Sequence, residues 1–354
     1  MTLKKISMVI VFLINILFGV RRNRKIKIGI FGCRHDINIG NYLIKFAMNV
    51  KLKELGYEPY IIATNEKNVN ISFINRTTNM VLIKNYSSIS ENEYNILLVN
   101  SDQTWRKWDE YVYDYGFLHF AKDWNTLKFV YGASLGFDYW NFNKTDEDII
   151  LPLIKSFSET SVREKGSIEL IKKHFGIIPE LVLDPTLIIN KKYYLDLIKD
   201  YSPKNNEIFS DNINYIFVYY VYRLEIDMQS FAQNAGNNLN YKIYFYKLNN
   251  DSLVEDFIYF IKNSKAVVTN SFHCTIFSIL FQKPFISFNY NYTGIERLKS
   301  LSELLGFQNR IAYVNKTPSL NLLKIPPRIN YKTFLQKKRD SIDYIKRNLN
   351  LYKK

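Results

Sequence analysis

Short apolar runs that stop at glycine or a polar turn alternate with amphipathic stretches along most of this chain. That alternation restricts the fold more than any other feature. Lys25-Ile-Lys-Ile-Gly-Ile-Phe-Gly32 alternates, turns apolar and ends in glycine, so it reads as a buried first strand. A loop from Cys33 to Gly40 leads to a helix predicted from Asn41 to Leu55, with an apolar stripe of Leu43, Phe46, Ala47 and Val50 and a stop at Gly56. Strand-like runs follow at 58–63, 79–84, 94–99 and 127–133. A second series begins near Asn214, with strands at 215–222, 241–248 and 265–269 and helical stretches at 224–235, 252–263 and 271–282. Strands alternating with helices imply parallel sheets built from βαβ units. Two such series predict an α/β fold of two Rossmann-like lobes facing a central cleft.

The lobes are predicted at 25–200 and 201–329, with the linker at 200–211, where Pro203 sits among several asparagines. Residues 330–354 read as a basic amphipathic helix, apolar at Tyr331, Phe334, Leu335, Ile342, Ile345 and Leu349. The 354 residues are 47% apolar and 23% charged, enough to build a core, which excludes disorder and collagen-like repeats. Two cysteines, Cys33 and Cys274, make no disulfide framework. The histidines, His35, His119, His174 and His273, form no metal-binding motif, so no metal site is expected.

The formal net charge of +15 is concentrated at the ends. Residues 1–25 carry +6 and residues 324–354 carry +8, which leaves the body at +1. A nearly neutral body disfavours a nucleic-acid partner, which would need a basic face on the fold itself. Basic ends suit an anionic membrane surface, at about 1 kcal/mol per nearby Lys or Arg. For the C-terminal helix, a solvated charged face is an equal reading.

Ile6 to Val20 is an uncharged apolar run, polar only at Ser7 and Asn15 and flanked by Lys and Arg. As a helix it would reach about 22 Å, short of the roughly 30 Å hydrocarbon core. Arg21, Arg22 and Arg24 follow directly and no small-x-small cleavage site appears, which argues against a signal peptide. The reading is that residues 1–24 are a membrane-associating segment, interfacial or re-entrant, on the cytoplasmic face. A core-packed N-terminal helix is the competing reading.

Four places sit where strands should end, which is where open α/β sheets bind ligands. In Asn38-Ile-Gly-Asn41, Gly40 lets backbone approach a ligand and Asn41 is read as a helix cap near an anion site; a plain cap and turn explains it equally well. Asn100-Ser-Asp-Gln-Thr-Trp105 puts Asp102 and Gln103 beside a tryptophan, which resembles a sugar-binding rim, although an Asx-turn has the same signature. In Ser161-Val-Arg163-Glu164, the fork of Arg163 suits a carboxylate or phosphate, while Glu164 is an ordinary first-turn acid. A surface Arg–Glu pair is the alternative. Downstream, Asp184-Pro-Thr186 either pins a turn or meets the cleft. The fourth place is Asn270-Ser-Phe-His273, after the strand Ala266–Thr269. Ser271 is the predicted cap, and His273 falls in the first turn of a buried helix, where an imidazole can serve as general acid and base. Cys274 reads as a small buried residue, with a nucleophilic thiol at the helix N-terminus as the alternative.

Together these pieces resemble the polysaccharide pyruvyl transferase family. The matching segments are Asn38-Ile-Gly-Asn41, Ser101-Asp-Gln-Thr-Trp105, Tyr131-Gly-Ala-Ser-Leu-Gly136, Ser161-Val-Arg-Glu-Lys165, Leu183-Asp-Pro-Thr186 and Asn270-Ser-Phe-His273 with Pro284-Phe285, in order over roughly 28–290. The resemblance implies a GT-B-like fold and transfer of an enolpyruvyl unit from phosphoenolpyruvate to sugar hydroxyls, forming a pyruvate ketal. It implies phosphoenolpyruvate as donor substrate, no separate cofactor, and a sugar or lipid-linked oligosaccharide acceptor at the inner face of the cell membrane. It matches Arg163 to the arginine that holds the donor and His273 to the donor-site histidine, and Asp102 and Gln103 to an SDQ-type motif. The expected assignment is catalysis by His273 and Asp102, with substrate held by Arg163, Asn41, Gln103, Ser271 and Asp184. Cys274 stands where the family commonly has glycine, and Asn100 where glycine often precedes the SDQ-type motif. Two other classes remain: a nucleotide-sugar glycosyltransferase on the same fold, and a non-catalytic partner in polysaccharide assembly.

Overall fold

The computed structural model describes residues 25–32, 38–64, 70–107, 110–203, 213–221, 223–290, 294–313, 316 and 318–353. The N-terminal apolar segment, Cys33 and His35, and most of the predicted linker lie outside them. Among the described residues no helix is long and apolar enough to cross a membrane.

The first lobe is a parallel sheet in the order β3-β2-β1-β4-β5. Its strands are β1 (Lys27–Phe31), β2 (Glu58–Thr64), β3 (Met80–Ile83), β4 (Ile96–Val99) and β5 (Leu127–Val130). All four residues of β4 are buried, as a central parallel strand covered on both faces requires. Two short strands, β6 (Ser161–Val162) and β7 (Glu180–Leu181), pair with each other. Ala133 bridges in parallel to both Asp102 and Val162, so the strand ends continue side by side beyond β5. The helices of this lobe are α1 (Ile39–Glu54), α2 (Ile71–Thr77), α3 (Val112–Tyr115), α4 (Lys144–Lys155), α5 (Lys165–Phe175), α6 (Pro185–Ile188) and α7 (Lys192–Leu197).

The second lobe is parallel in the order β12-β11-β10-β8-β9. It contains β8 (Tyr215–Tyr220), α8 (Ile226–Leu239), β9 (Lys242–Lys247), α9 (Val254–Asn263), β10 (Ala266–Thr269), α10 (Phe272–Leu280), β11 (Phe285–Phe288), α11 (Ile295–Leu305) and β12 (Ile311–Ala312). The strand order reverses at β1/β4 in the first sheet and at β8/β10 in the second. Such reversals open a crevice at the carboxyl ends of the strands. The two-lobed expectation holds, and the motifs of 38–41, 100–105 and 270–273 all leave strands at these two points.

One apolar cluster runs through both lobes, with Phe46 and Tyr194 of the first packed toward Phe277 of the second. Hydrogen bonds reinforce the contact. Asn70 donates to Ser252 O at 2.7 Å and accepts from Val254 N at 3.2 Å. Lys165 N donates to Ser300 Oγ at 2.9 Å, and Arg76 pairs with Glu255.

The C-terminal helix, α12 (Tyr331–Leu351), returns to the first lobe. The Tyr344 hydroxyl donates to Val130 O at 2.7 Å, and Leu183 N donates to Ser341 Oγ at 2.9 Å. Ile345 and Leu349 are buried as their spacing predicts, but Tyr331 and Leu335 are half exposed. Hydrogen bonds through Ser341 and Asn348 help select the packing face, which apolar periodicity alone does not show. Part of the basic face is also paired, because Arg347 bridges Glu159 and Glu180 at 2.9 and 2.7 Å.

Candidate active site

Three neighbouring strand ends of the first lobe converge on one guanidinium. Arg163 leaves β6 fully buried. Its Nη2 donates to Asp102 Oδ1 at 2.6 Å and its Nη1 to Asp184 Oδ2 at 2.7 Å. Asp102 lies just beyond β4 with φ of 99°, a backbone conformation side-chain-bearing residues rarely adopt. Such a residue costs on the order of 1–3 kcal/mol and persists only where its surroundings hold it. Here the bridge to Ala133 and the bond to Arg163 do so. Asp184 caps α6, and its Oδ1 accepts from Thr186 N and from Thr186 Oγ at 3.0 and 2.6 Å. Asp184 thus both pins its turn and meets the cleft. Glu164 is buried as well, its Oε2 4.0 Å from Arg163 Nε and its Oε1 accepting from Leu135 N and the Ser167 hydroxyl.

The second lobe supplies the opposite wall. Ser271 caps α10 by accepting from Cys274 N at 3.3 Å, as expected. His273 follows in the first turn, buried, with Nε2 3.6 Å from Asp184 Oδ2. That is beyond hydrogen-bond length but within ion-pair range, and among the described residues this nitrogen has no hydrogen-bond partner. Asn270 sets the strand-end geometry, accepting from Val221 N and donating to Val221 O, which ties the ends of β8 and β10 together. Arg297, from α11, brings its Nη1 to 4.0 Å from Asp102 Oδ1. The guanidinium carbons of Arg163 and Arg297 lie 5.1 and 5.5 Å from the Phe272 ring centre.

Burial and charge pull against each other in this cluster. Burial alone would raise the Asp102 carboxyl, but Arg163, His273 and Arg297 outweigh it and hold the group below its ordinary range. Asp184 is likewise held well below that range, against its own burial, by His273, Arg163 and Thr186. Burial pushes Glu164 up, only partly offset by Arg163. Arg163 stays charged because its carboxylates overcome desolvation. The thiol of Cys274 is pushed up by burial, which makes it inert as a nucleophile.

Several expectations change. Asn38, rather than Asn41, caps α1, its side chain accepting from Gly40 N at 3.0 Å; Asn41 is buried within the first turn. The helix therefore starts at Ile39, because the cap is taken by the first side chain whose extended backbone lets it reach back. Trp105 is no part of a sugar rim. It is core, stacked on Phe117 with centroids 5.3 Å apart, and its indole N–H donates to Gly116 O. Asp102 faces inward to Arg163, whereas Gln103 is half-buried and bonds Arg106. Arg163 and Glu164 are buried and 4.0 Å apart, which excludes the surface-pair reading. The structure therefore brings Asp102, Arg163, Asp184, Ser271 and His273 together, with Asn41 in the adjoining helix turn and Gln103 at the rim.

Arg297 was not legible, since Ile295-Glu-Arg-Leu-Lys299 reads as an ordinary amphipathic helix. The one available signal was Gly294 just before it, at φ of 82°. A β-carbon there would lie 2.8 Å from the Arg297 guanidinium. Among the described residues no group of three His, Cys, Asp or Glu is arranged to hold a metal ion.

Two parallel α/β lobes with a charged site at their facing strand ends define a two-lobed, GT-B-like fold. The polysaccharide pyruvyl transferase family model matches residues 38–292, and the chain belongs to that family. No curated protein matches the chain in sequence. Solved structures share the fold. A UDP-GlcNAc 2-epimerase from Neisseria meningitidis is 10% identical, covering 91% of this chain and 99% of its own at a TM-score of 0.54. A glycosyltransferase from Rickettsia africae is 12% identical, covering 93% and 98% at 0.52. The UDP-GlcNAc 2-epimerase of Methanocaldococcus jannaschii is also 12% identical, covering 92% and 99% at 0.50.

Proposed function

We propose that this chain transfers an enolpyruvyl group from phosphoenolpyruvate to two hydroxyls of a sugar, forming a pyruvate ketal on a cell-surface polysaccharide or its lipid-linked precursor. The observation that carries this reading is the buried His273 Nε2, 3.6 Å from Asp184 Oδ2 and without a hydrogen bond among the described residues, within an Asp–Arg–Asp cluster at the facing strand ends. An unsatisfied buried polar atom needs a reason, and a catalytic proton carrier is one. The family assignment supplies the reaction class.

The donor carries a carboxylate and a phosphate. Arg297 and the positive end of α10 suit both. Arg163 gives one N–H of each terminal nitrogen to a carboxylate, so in this account it positions Asp102 and Asp184. His273 delivers a proton to the methylene carbon, and C2 takes on cationic character. A sugar hydroxyl forms a C–O bond to C2 and passes its proton to the phosphate group. The C2–O bond to phosphate then breaks and phosphate leaves with that electron pair. The second hydroxyl attacks C2, loses its proton to phosphate or His273, and closes the ketal. Asp102 orients the acceptor through Oδ2, which takes no hydrogen bond from the described residues. No separate cofactor enters this scheme.

The cluster is nearly closed to solvent, with the Arg163 and His273 side chains 1% and 5% exposed. Donor entry therefore requires the lobes to part. A lipid-linked acceptor would place the chain at the cytoplasmic face of the membrane, a placement that the basic, apolar residues 1–24 support. The test is acceptor-dependent release of phosphate from phosphoenolpyruvate, with the product's mass raised by one pyruvate less water. Transfer from a nucleotide sugar instead would assign the chain to the glycosyltransferase reading, whose fold it shares.

A further inference from the structure

A rigid aromatic surface stands next to the buried cluster, at the ends of β4 and β5, and nothing in the fold accounts for it. Tyr139 is 56% exposed, yet it is stacked on Phe137 with centroids 4.7 Å apart and planes 20° apart. The Arg106 guanidinium lies 3.8 Å from the Phe137 ring centre. Gln103, the residue after Asp102, accepts from Arg106 Nη1 at 2.7 Å through Oε1. Its amide NH2 donates to no acceptor among the described residues. Gly136, at φ of 73°, lets the loop press against both side chains, since a β-carbon there would sit 2.8 Å from Arg106 and 2.9 Å from Gln103.

The loop is anchored from the other side. Trp140 donates to Glu147 at 2.9 Å and stacks on His174, and Phe142 packs on Phe117. Phe137 and Trp140 on either side are partly buried while Asp138 and Tyr139 are exposed, so the ring stands at the surface on an anchored loop. A large exposed ring held in this way marks a binding surface.

We infer that Tyr139, with Gln103 and Arg106 at its edge, is the platform that receives the saccharide acceptor. An aromatic face suits the C–H face of a pyranose, and the amide and guanidinium donate to its hydroxyls. The platform begins one residue from Asp102, so a sugar lying on it presents hydroxyls toward the cluster. The inference rests on the ketal-forming reading for the acceptor's identity, but its location is carried by the loop geometry.

The test is saturation-transfer NMR of the full chain with methyl glycosides and disaccharides of common hexoses, which lack an aryl group that could itself stack. Phosphoenolpyruvate is titrated in parallel. The expected result is binding of at least one saccharide, weakened about fivefold or more in Tyr139→Ala and retained in Tyr139→Phe and Tyr139→Trp. Phosphoenolpyruvate affinity should stay the same in all three variants. Saccharide binding absent from the wild type, or equal in Tyr139→Ala, overturns the platform. Saccharide binding that depends on Tyr139, without phosphoenolpyruvate binding or turnover, keeps the platform and overturns the donor assignment.

Discussion

A β-carbon on Gly40 would lie 2.0 Å from Nδ1 of His273, so the first turn of α1 and the candidate catalytic imidazole can share their space only while residue 40 is glycine. This relationship joins the two lobes at the site. It also gives Gly40 a reason that its helical position does not.

Gly40→Ala should therefore displace His273 without unfolding the chain. Alanine is a better helix former than glycine by about 1 kcal/mol, which offsets part of the roughly 1–3 kcal/mol overpacking cost. Turnover should fall at least tenfold, following the cost of misplacing a reacting group. A melting curve and a rate measurement on the same sample separate the two effects.

His273→Ala should lose about 10²–10⁴-fold in kcat, the contribution of a positioned proton carrier. The folded state should persist, because Asp102 and Asp184 keep Arg163 as their cation. Near-native turnover in this variant would remove His273 from the mechanism.

Arg163 acts on stability as well as activity. Arg163→Ala leaves Asp102 and Asp184 buried without their cation, and removing one partner of a buried ion pair costs about 3–5 kcal/mol. Arg163→Lys should recover only part, since one ammonium cannot bond two carboxylates as the fork does. Urea denaturation at neutral pH measures both.

The carboxylates predict how stability follows pH. Asp102 and Asp184 are depressed in the folded state, so their contribution is complete above the unfolded value of about 4 and is lost as pH falls through their lower folded values. Glu164 is raised, so its contribution has the opposite sign and favours the folded state as pH falls toward 4. Asp184→Asn should therefore flatten the acid limb of stability against pH, and Glu164→Gln should steepen it between about 4 and neutrality. Unfolding free energies from neutrality to well below about pH 4 decide it.

Much of this site was readable because strand ends announce themselves. The apolar runs ending at Val99 and Thr269 fix where the chain leaves the sheets, and each is followed by a cluster of polar residues. Partnership was not readable. Arg163 meets Asp102 and Asp184 across 61 and 21 residues, through a strand register that no local pattern specifies. Trp105 was misjudged because a buried tryptophan and a rim tryptophan look alike in sequence. Only the Gly116 carbonyl, eleven residues on, shows which one it is. Arg297 was missed because helical periodicity records burial without recording what a buried cation faces.

The central claim is that this cluster binds phosphoenolpyruvate. Thermal melting of the wild type and of Arg297→Ala, with phosphoenolpyruvate, UDP-sugars and inorganic phosphate, tests it most directly. A ligand of the native state stabilises it by about 2.7 kcal/mol at a hundredfold over its Kd. The account predicts a rise in Tm with phosphoenolpyruvate that exceeds that with phosphate and is lost in Arg297→Ala. Stabilisation by a UDP-sugar with none by phosphoenolpyruvate would contradict it.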